Sequence, residues 1–386
     1  VLRTVAAAPG AELDLLTDLR RALDGNGPAL LPLPPDTRPR DVLLEALRPD
    51  LPLEETPGGD RIALVVPTSG STGKPKGVLL SAHALKTSAA ATQERLGGTG
   101  QWLLALPVTH IAGLQVLIRS LLLDTVPVIV DSKGGFTSKA FLAAVSTMDS
   151  DRRYTSLVPT QLARLLDDGG TAVDALAGFE AVLVGGAATS TTLHDRATAA
   201  GIRLVTSYGM TETCGGCVYD GVPLDQVTIS LGENGRITLN GPMLFSGYRL
   251  RPSSNESPLS SNGFLTRDLG QFGSDGKLEI LGRMDDAIMT GGEKVAPAAV
   301  EEALLTHSGV RDVAVVGIPD LEWGERIVAV VVPVSAVPPS VAALREQVAT
   351  RLGRHAAPRE ILIVSELPRM GLGKIDREAV RRIASR

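Results

Sequence analysis

The sequence predicts an α/β protein in two parts: a large layered N-terminal domain closed by a β-rich subdomain, and a small α+β C-terminal domain. Three observations carry that expectation. Short apolar β-type runs alternate with helical patterns from Ile62 to Ser207, the order that builds a layered α/β domain. Between about Val227 and Gly282 the texture changes to short strands broken by Asn-Gly and Asp-Gly pairs, which are hairpin signals. Beyond Gly282 a fresh helix–strand–strand–helix–strand order begins, and about a hundred residues suffice for a separate domain. The 386 residues suit two or three domains on size alone. The expected division is 1–283 and 284–386, with 227–283 as the β-rich subdomain.

Taken in order, the first sixty residues read as a helix over Leu13–Leu23, a Pro-rich crossing over Pro28–Pro39 and a helix over Asp41–Leu47. Ile62–Val66 is a short apolar strand, followed by a Gly-rich loop and a second strand at Val78–Leu80. Ser81 is placed to cap the next helix, which runs through His83 and Ala91. Further strands are expected at Trp102–Leu106, Val126–Val130, Tyr154–Val158, Ala181–Val184 and Arg203–Ser207, with helices at Pro159–Leu166 and Thr192–Ala200. Hairpin turns are expected at 234–235, 262–263 and 275–276, and the Ser-rich stretch Ser253–Ser261 reads as a surface loop. The C-terminal unit reads as a helix (Pro297–His307), strands (Val313–Ile318, Ile327–Val332), a helix (Val341–Leu352), a strand (Ile361–Val364), a Gly-rich loop and a short basic helix.

Composition excludes several classes. A hydrophobic share of 44% with 21% charged residues is that of a folded protein. Aromatics are only 3%, so Leu, Val, Ile and Ala must build the core. A net charge of −5 leaves no electrostatic footprint for nucleic acid. Ile111–Val130 is the most apolar window, but Arg119, Asp124 and Pro127 interrupt it. A buried helix followed by a strand suits it better than a membrane span. Val1–Leu23 mixes charges among its apolar residues and does not read as a secretory signal. The cysteine pair Cys214-Gly-Gly-Cys217 lacks the second pair that a structural zinc needs. Both are expected as reduced thiols in a cytoplasmic protein. A homodimer is a general expectation for a compact enzyme.

The segment Thr68-Ser-Gly-Ser-Thr-Gly-Lys-Pro-Lys-Gly77 follows a strand. Its glycines would let backbone amides approach a polyanion, its hydroxyls would donate, and Lys74 and Lys76 would supply charge. The spacing of Gly70 and Gly73 and the proline after Lys74 exclude a Walker loop. The loop resembles that of the adenylate-forming (acyl-CoA synthetase) superfamily. Other motifs resemble it in the same order: Tyr208-Gly-Met-Thr-Glu-Thr213, Thr266-Arg-Asp-Leu-Gly270, Gly282-Arg-Met-Asp-Asp-Ala-Ile288 with Gly291-Gly-Glu-Lys-Val295, and Gly371-Leu-Gly-Lys-Ile-Asp-Arg377. The resemblance covers nearly everything from Ile62 onward, while the region before it is shorter than in most members.

The resemblance implies an enzyme that uses ATP, Mg2+ and coenzyme A. Thr68, Ser69, Gly70, Ser71, Thr72, Gly73, Lys74 and Lys76 would hold the β- and γ-phosphates. Thr211 would contact the α-phosphate, and Glu212 would coordinate magnesium. Gly185, Gly186, Ala187 and Tyr208 would frame the adenine, and Asp268 with Arg283 would bind the ribose. Lys374 would bridge the carboxylate and the α-phosphate as the two anions meet. Asp285 occupies the hinge position, and Gly291 and Gly292 would line a tunnel for the pantetheine arm.

Pro107-Val-Thr-His-Ile-Ala-Gly113 resembles the family's acid-pocket motif, with His110 near the reacting carboxylate, although Thr109 stands where an aromatic is usual. Arg119 follows nine positions later in an apolar run. Burying a guanidinium there costs several kcal/mol unless an anion meets it. An internal salt bridge with Asp124 or Asp131 is one answer. The other is a second carboxylate on the substrate, held bidentately, an arrangement similar to that of the o-succinylbenzoate–CoA ligases of menaquinone synthesis. An aromatic dicarboxylic acid would then be the substrate, with Ser207, Gly209 and Thr213 as candidates for its pocket. Other aryl or acyl acid–CoA ligases, stand-alone adenylation enzymes and a non-catalytic nucleotide-binding protein remain open.

Overall fold

The structure, a computed structural model, describes residues 2–54, 56, 59–69, 75–250, 258–371 and 373–385. It divides into two compact units: Val1–Ala188, Arg196–Ile229 and Thr238–Leu265 form the first, and Thr189–Asp195, Ser230–Ile237 and Thr266–Arg386 the second.

The first unit is α/β and layered. A five-stranded sheet runs in the order Leu2–Ala6, Ala29–Leu33, Ile62–Ser69, Pro75–Ser81, Gly247–Tyr248, parallel across the first three and antiparallel across the rest. A seven-stranded sheet runs in the order Val222–Pro223, Gly215–Tyr219, Leu204–Met210, Ala181–Gly185, Arg153–Leu157, Gln101–Leu104, Val128–Ile129. Its last five strands are parallel, and the middle three, Gln101–Leu104, Arg153–Leu157 and Ala181–Gly185, are mostly buried. That follows from helices covering both faces of a parallel sheet. Helices Glu12–Leu23, Ala82–Arg95 and Ile111–Leu122 pack together, and Ala82–Arg95 touches strands of both sheets. Ser81 caps that helix as expected, its Oγ accepting from the Ala84 N–H at 3.1 Å.

The N-terminal region differs from expectation. The Pro-rich crossing contains the strand Ala29–Leu33, with Leu30 and Leu31 fully buried. Its pairing to Ile62–Ser69 is confined to Leu30↔Leu64, so Pro32 lies past that ladder and its missing N–H costs nothing there. The following helix begins earlier, at Thr37, because Pro39 falls in its first turn, where no N–H is needed. Strand Leu2–Ala6 and helices Ser138–Val145 and Gly170–Ala177 are additional elements. Leu259–Ser260 is a strand rather than loop, and residues 253–257 of the Ser-rich stretch lie outside the described residues.

Turns form at all three places: Gly235 and Gly276, with φ of 73° and 75°, lie between successive strands, and Gly263, with φ of 111°, opens strand Gly263–Phe272 directly after the turn at 261–262. In the second unit, strands Val310–Asp320 and Gly324–Pro333 alternate strictly. Val313, Val315, Ile327, Ala329 and Val331 face helices Pro297–Leu305 and Val341–Leu352. Ala314, Val316, Ile318, Val328 and Val330 join Val380 and Ala384 of helix Arg377–Ala384. The period of two thus places a core on each face of one sheet. Among the described residues no helix is long and apolar enough to cross a membrane.

Candidate active site

In open α/β sheets ligands sit beyond the carboxyl ends of the strands. Strand Ala181–Gly185 ends there in Gly185-Gly186-Ala187, and Gly185 is registered against Ser207 of strand Leu204–Met210. A β-carbon on Gly185 would lie 2.8 Å from the Ser207 carbonyl oxygen, and one on Gly209 2.1 Å from that of Gly215. No side chain fits at either position, so the glycines are what lets these strands approach. Tyr208 lies between them in the same strand.

The chain then turns through Thr211-Glu212-Thr213. Thr213 is buried, and its hydroxyl accepts from the Met210 N–H at 2.9 Å and donates to the Gly215 carbonyl at 2.7 Å. Those bonds close the turn that carries Thr211 and Glu212. Glu212 Oε1 accepts a hydrogen bond from the Tyr248 hydroxyl at 2.8 Å. No cluster of three His, Cys, Asp or Glu among the described residues could cage a metal. A single carboxylate instead fits Mg2+, which keeps several waters and takes its remaining ligands from substrate phosphates.

Strands Ile62–Ser69 and Pro75–Ser81 pair up to Thr68↔Lys76 and Ser69↔Pro75. Thr68, Ser69 and Lys76, expected in a long loop, are therefore strand residues. Gly70, Ser71, Thr72, Gly73 and Lys74 lie outside the described residues. Gly77 serves packing: a β-carbon there would meet Leu47 Cδ2 at 2.8 Å and Val65 Cγ1 at 2.9 Å. Lys76 Nζ lies 5.3 Å from the centroid of the Tyr248 ring.

His110 is the N-cap residue of helix Ile111–Leu122 and is half-buried. Arg119, in the same helix, is only 3% exposed. Its guanidinium lies 4.7 Å from the Trp102 ring centroid, and Nη2 is 3.4 Å from Thr92 Oγ1, which in turn sits 2.9 Å from the Tyr219 hydroxyl. Asp124 pairs with Arg20 at the surface instead, and Asp131 is exposed. Among the described residues no carboxylate pairs with Arg119, and its Nε has no acceptor. Burial lowers the guanidinium's pKa, opposed by Tyr219. One turn earlier, Gln115 Nε2 donates to the Cys214 carbonyl at 2.7 Å while its Oε1 has no donor.

In the second unit, Asp268 and Arg283 face each other across adjacent strands. Asp285 Oδ2 accepts from Arg267 at 2.9 Å and from Arg283 at 3.3 Å. Partial burial works against its charge, but these bonds hold its carboxyl below the usual range. Gly291 and Gly292, with φ of 58° and 84°, make the two-residue turn between Ile288–Thr290 and Glu293–Val295. Two successive positive φ angles suit glycine pairs. Lys374 is exposed and opens the short strand Lys374–Ile375, paired through Met370↔Lys374. Nearby, Arg377 binds Glu301 at 2.8 Å and Asp286 at 3.5 Å.

Cys214 and Cys217 are buried free thiols. Desolvation pushes Cys214 well above the usual thiol range and Cys217 up to about 12. Thr92, Trp102 and Tyr248 belong to no motif, and no role was expected of Tyr219. The one signal in the sequence is that tyrosines are scarce, four in all, and a buried tyrosine hydroxyl usually takes a hydrogen-bond partner.

Two family models match: AMP-binding enzyme over residues 26–243, and AMP-binding enzyme C-terminal domain over residues 299–374. The chain is 48% identical to a probable 2-succinylbenzoate–CoA ligase of Mycobacterium tuberculosis over 96% of its own length and 95% of the relative's. It resembles the solved o-succinylbenzoate CoA synthetase of Bacillus subtilis in complex with the acyl-adenylate OSB-AMP. That match has a TM-score of 0.74 and 27% identity, covering 94% of this chain and 80% of the other. The same Bacillus subtilis protein in complex with ATP and magnesium matches at a TM-score of 0.71 and 29% identity, covering 84% and 70%.

Proposed function

The chain belongs to the AMP-binding enzyme family, and from that premise we propose that it joins 2-succinylbenzoate (o-succinylbenzoate) to coenzyme A at the expense of ATP, in menaquinone biosynthesis. Arg119 carries the choice of acid: a buried guanidinium with no carboxylate of its own among the described residues calls for an anion from outside. A substrate with two carboxylates supplies one to Arg119 and keeps the other for reaction.

The chemistry divides into two steps. One substrate carboxylate oxygen attacks the α-phosphorus of ATP, the bond to the β-phosphate bridge breaks, and pyrophosphate leaves. The sulfur of coenzyme A then attacks the acyl carbon, the bond to AMP breaks, and the thiol proton goes to solvent. Neither step needs covalent help from the protein, so catalysis is positioning and charge neutralisation. Thr68, Ser69, Lys76 and the intervening Gly70–Lys74 hold the outer phosphates, and Thr211 meets the α-phosphate. Glu212, together with the phosphates, would hold Mg2+, which when bound would offset their charge. Gly185, Gly186, Ala187 and Tyr208 frame the adenine, and Asp268 and Arg283 take the ribose. His110 steers the reacting carboxylate, and Ser207, Gly209 and Thr213 shape the acid pocket.

Lys374 supplies the ammonium for the first step. A rotation of 284–386 about Asp285 then withdraws it and brings Gly291 and Gly292 to the pantetheine arm. The free thiols and the ATP and coenzyme A substrates support a cytoplasmic setting. A homodimer is the expected assembly, read by sedimentation. Pyrophosphate release with a panel of mono- and dicarboxylic aromatic acids, with and without coenzyme A, tests the reaction. The best acid is expected to be 2-succinylbenzoate, with AMP and a thioester formed only when coenzyme A is present. Equal or better turnover of benzoate or another monoacid would assign a different ligase.

A further inference from the structure

We propose that Tyr248 is a positioning residue for the magnesium carboxylate, fixing Glu212 in the orientation that receives the metal–ATP complex. The proposal rests on the reading of Glu212 as the metal ligand.

The Tyr248 hydroxyl donates to Glu212 Oε1 at 2.8 Å. An ionised carboxylate has about four lone-pair sites, so one donor leaves Oε2 and part of Oε1 for a cation. The donor also removes the side-chain freedom that a lone glutamate on a turn would otherwise lose on binding metal.

Tyr248 is itself held on three sides. Its strand, Gly247–Tyr248, pairs with Pro75–Ser81 through Tyr248↔Val78 and Gly247↔Leu79. The next residue, Arg249, has a fully buried side chain that donates to the carbonyls of Leu47, Arg48, Leu51 and Pro52 and pairs with Glu54 at 3.1 Å. On the other side, the Phe245 N–H donates to the Glu212 carbonyl at 2.9 Å, and the Phe245 ring meets the Tyr248 ring edge-on at 5.0 Å. Segment 245–249 therefore braces the Glu212 turn against the strand that carries Lys76. The face of the Tyr248 ring lies 5.3 Å from the Lys76 ammonium, a favourable cation–π distance. One side chain thus touches both the candidate metal carboxylate and a candidate phosphate-binding lysine.

The test measures binding without turnover, using Mn2+ as a paramagnetic stand-in and ATP, with no acid present. Electron paramagnetic resonance reads Mn2+ affinity in the ternary complex, and calorimetry in EDTA reads ATP affinity without metal. Tyr248→Phe keeps the ring beside Lys76 and removes only the hydroxyl. It is expected to weaken Mn2+ roughly tenfold, at the low end of what outer-shell partners cost, and to leave metal-free ATP affinity within about twofold. Glu212→Gln should lose at least as much, and the double variant should be no weaker than Glu212→Gln alone. Unchanged Mn2+ affinity in Tyr248→Phe, with a loss in Glu212→Gln, overturns the role of Tyr248 alone. Multiplying losses in the double variant overturn it too. Unchanged affinity in Glu212→Gln removes the metal reading of that residue, and the role of Tyr248 with it.

Discussion

Arg119 is where one side chain says most about the substrate. Trp102 and Thr92 stabilise the guanidinium, but a ring face and a neutral hydroxyl do not cancel a buried charge. Arg119→Leu should therefore raise the KM for the acid roughly tenfold or more and leave that for ATP within about twofold, since a charge-assisted bond contributes about 1.5–3 kcal/mol. Steady-state kinetics with each substrate varied separately reads the split. An unmoved acid KM would assign Arg119 to packing. Cys214 and Cys217 give a second residue-level expectation. Their pKa values are raised in the folded protein, so the folded state keeps protons that the unfolded state has lost above the ordinary thiol range. Stability is then fully present below pH ~8.5 and falls by about 1.4 kcal/mol per pH unit per thiol as pH rises toward 12. Denaturant midpoints across pH 8–10, compared with those of a Cys214→Ser/Cys217→Ser variant, check the slope.

Single elements show how far the sequence could be read. Asn-Gly and Asp-Gly dictated their hairpins because the turns demand positive φ, and Ser81 dictated a helix start because its oxygen meets an orphan N–H. Ala29–Leu33 was hidden by prolines that would normally break a ladder. The motif residues were legible through their resemblance, but their neighbours were not. Tyr248 lies 36 positions from Glu212, and no local pattern records a contact made by two sheets folding together. The same holds for Thr92 and Tyr219 around Arg119. Arg249, unmarked by any motif, ties the turn at 47–54 to the sheet through five acceptors. Arg249→Met should cost roughly 3 kcal/mol, a figure held down because Glu54 keeps some contact with water. A lowered denaturant midpoint with unchanged slope is the expected signature, and a shift under about 1 kcal/mol would make the clamp incidental.

At the scale of the whole molecule, the candidate machinery is shared between the two units. Thr68, Lys76, His110, Arg119, Thr211 and Glu212 belong to the first, and Asp268, Arg283, Asp285 and Lys374 to the second. Within the second unit, Arg377 links the helix after Lys374 to Asp286, next to the proposed hinge. An enzyme that passes one acyl group through two reactions must hold a cation at the α-phosphate for the first and clear it for the second. The two half-reactions of Lys374→Ala test that most directly, by rapid-quench measurement of acyl-adenylate from 2-succinylbenzoate and ATP, and of thioester from supplied acyl-adenylate and coenzyme A. Loss of a preorganised charge predicts a fall of about a hundredfold or more in the first and less than about threefold in the second. Equal losses in both would contradict the account.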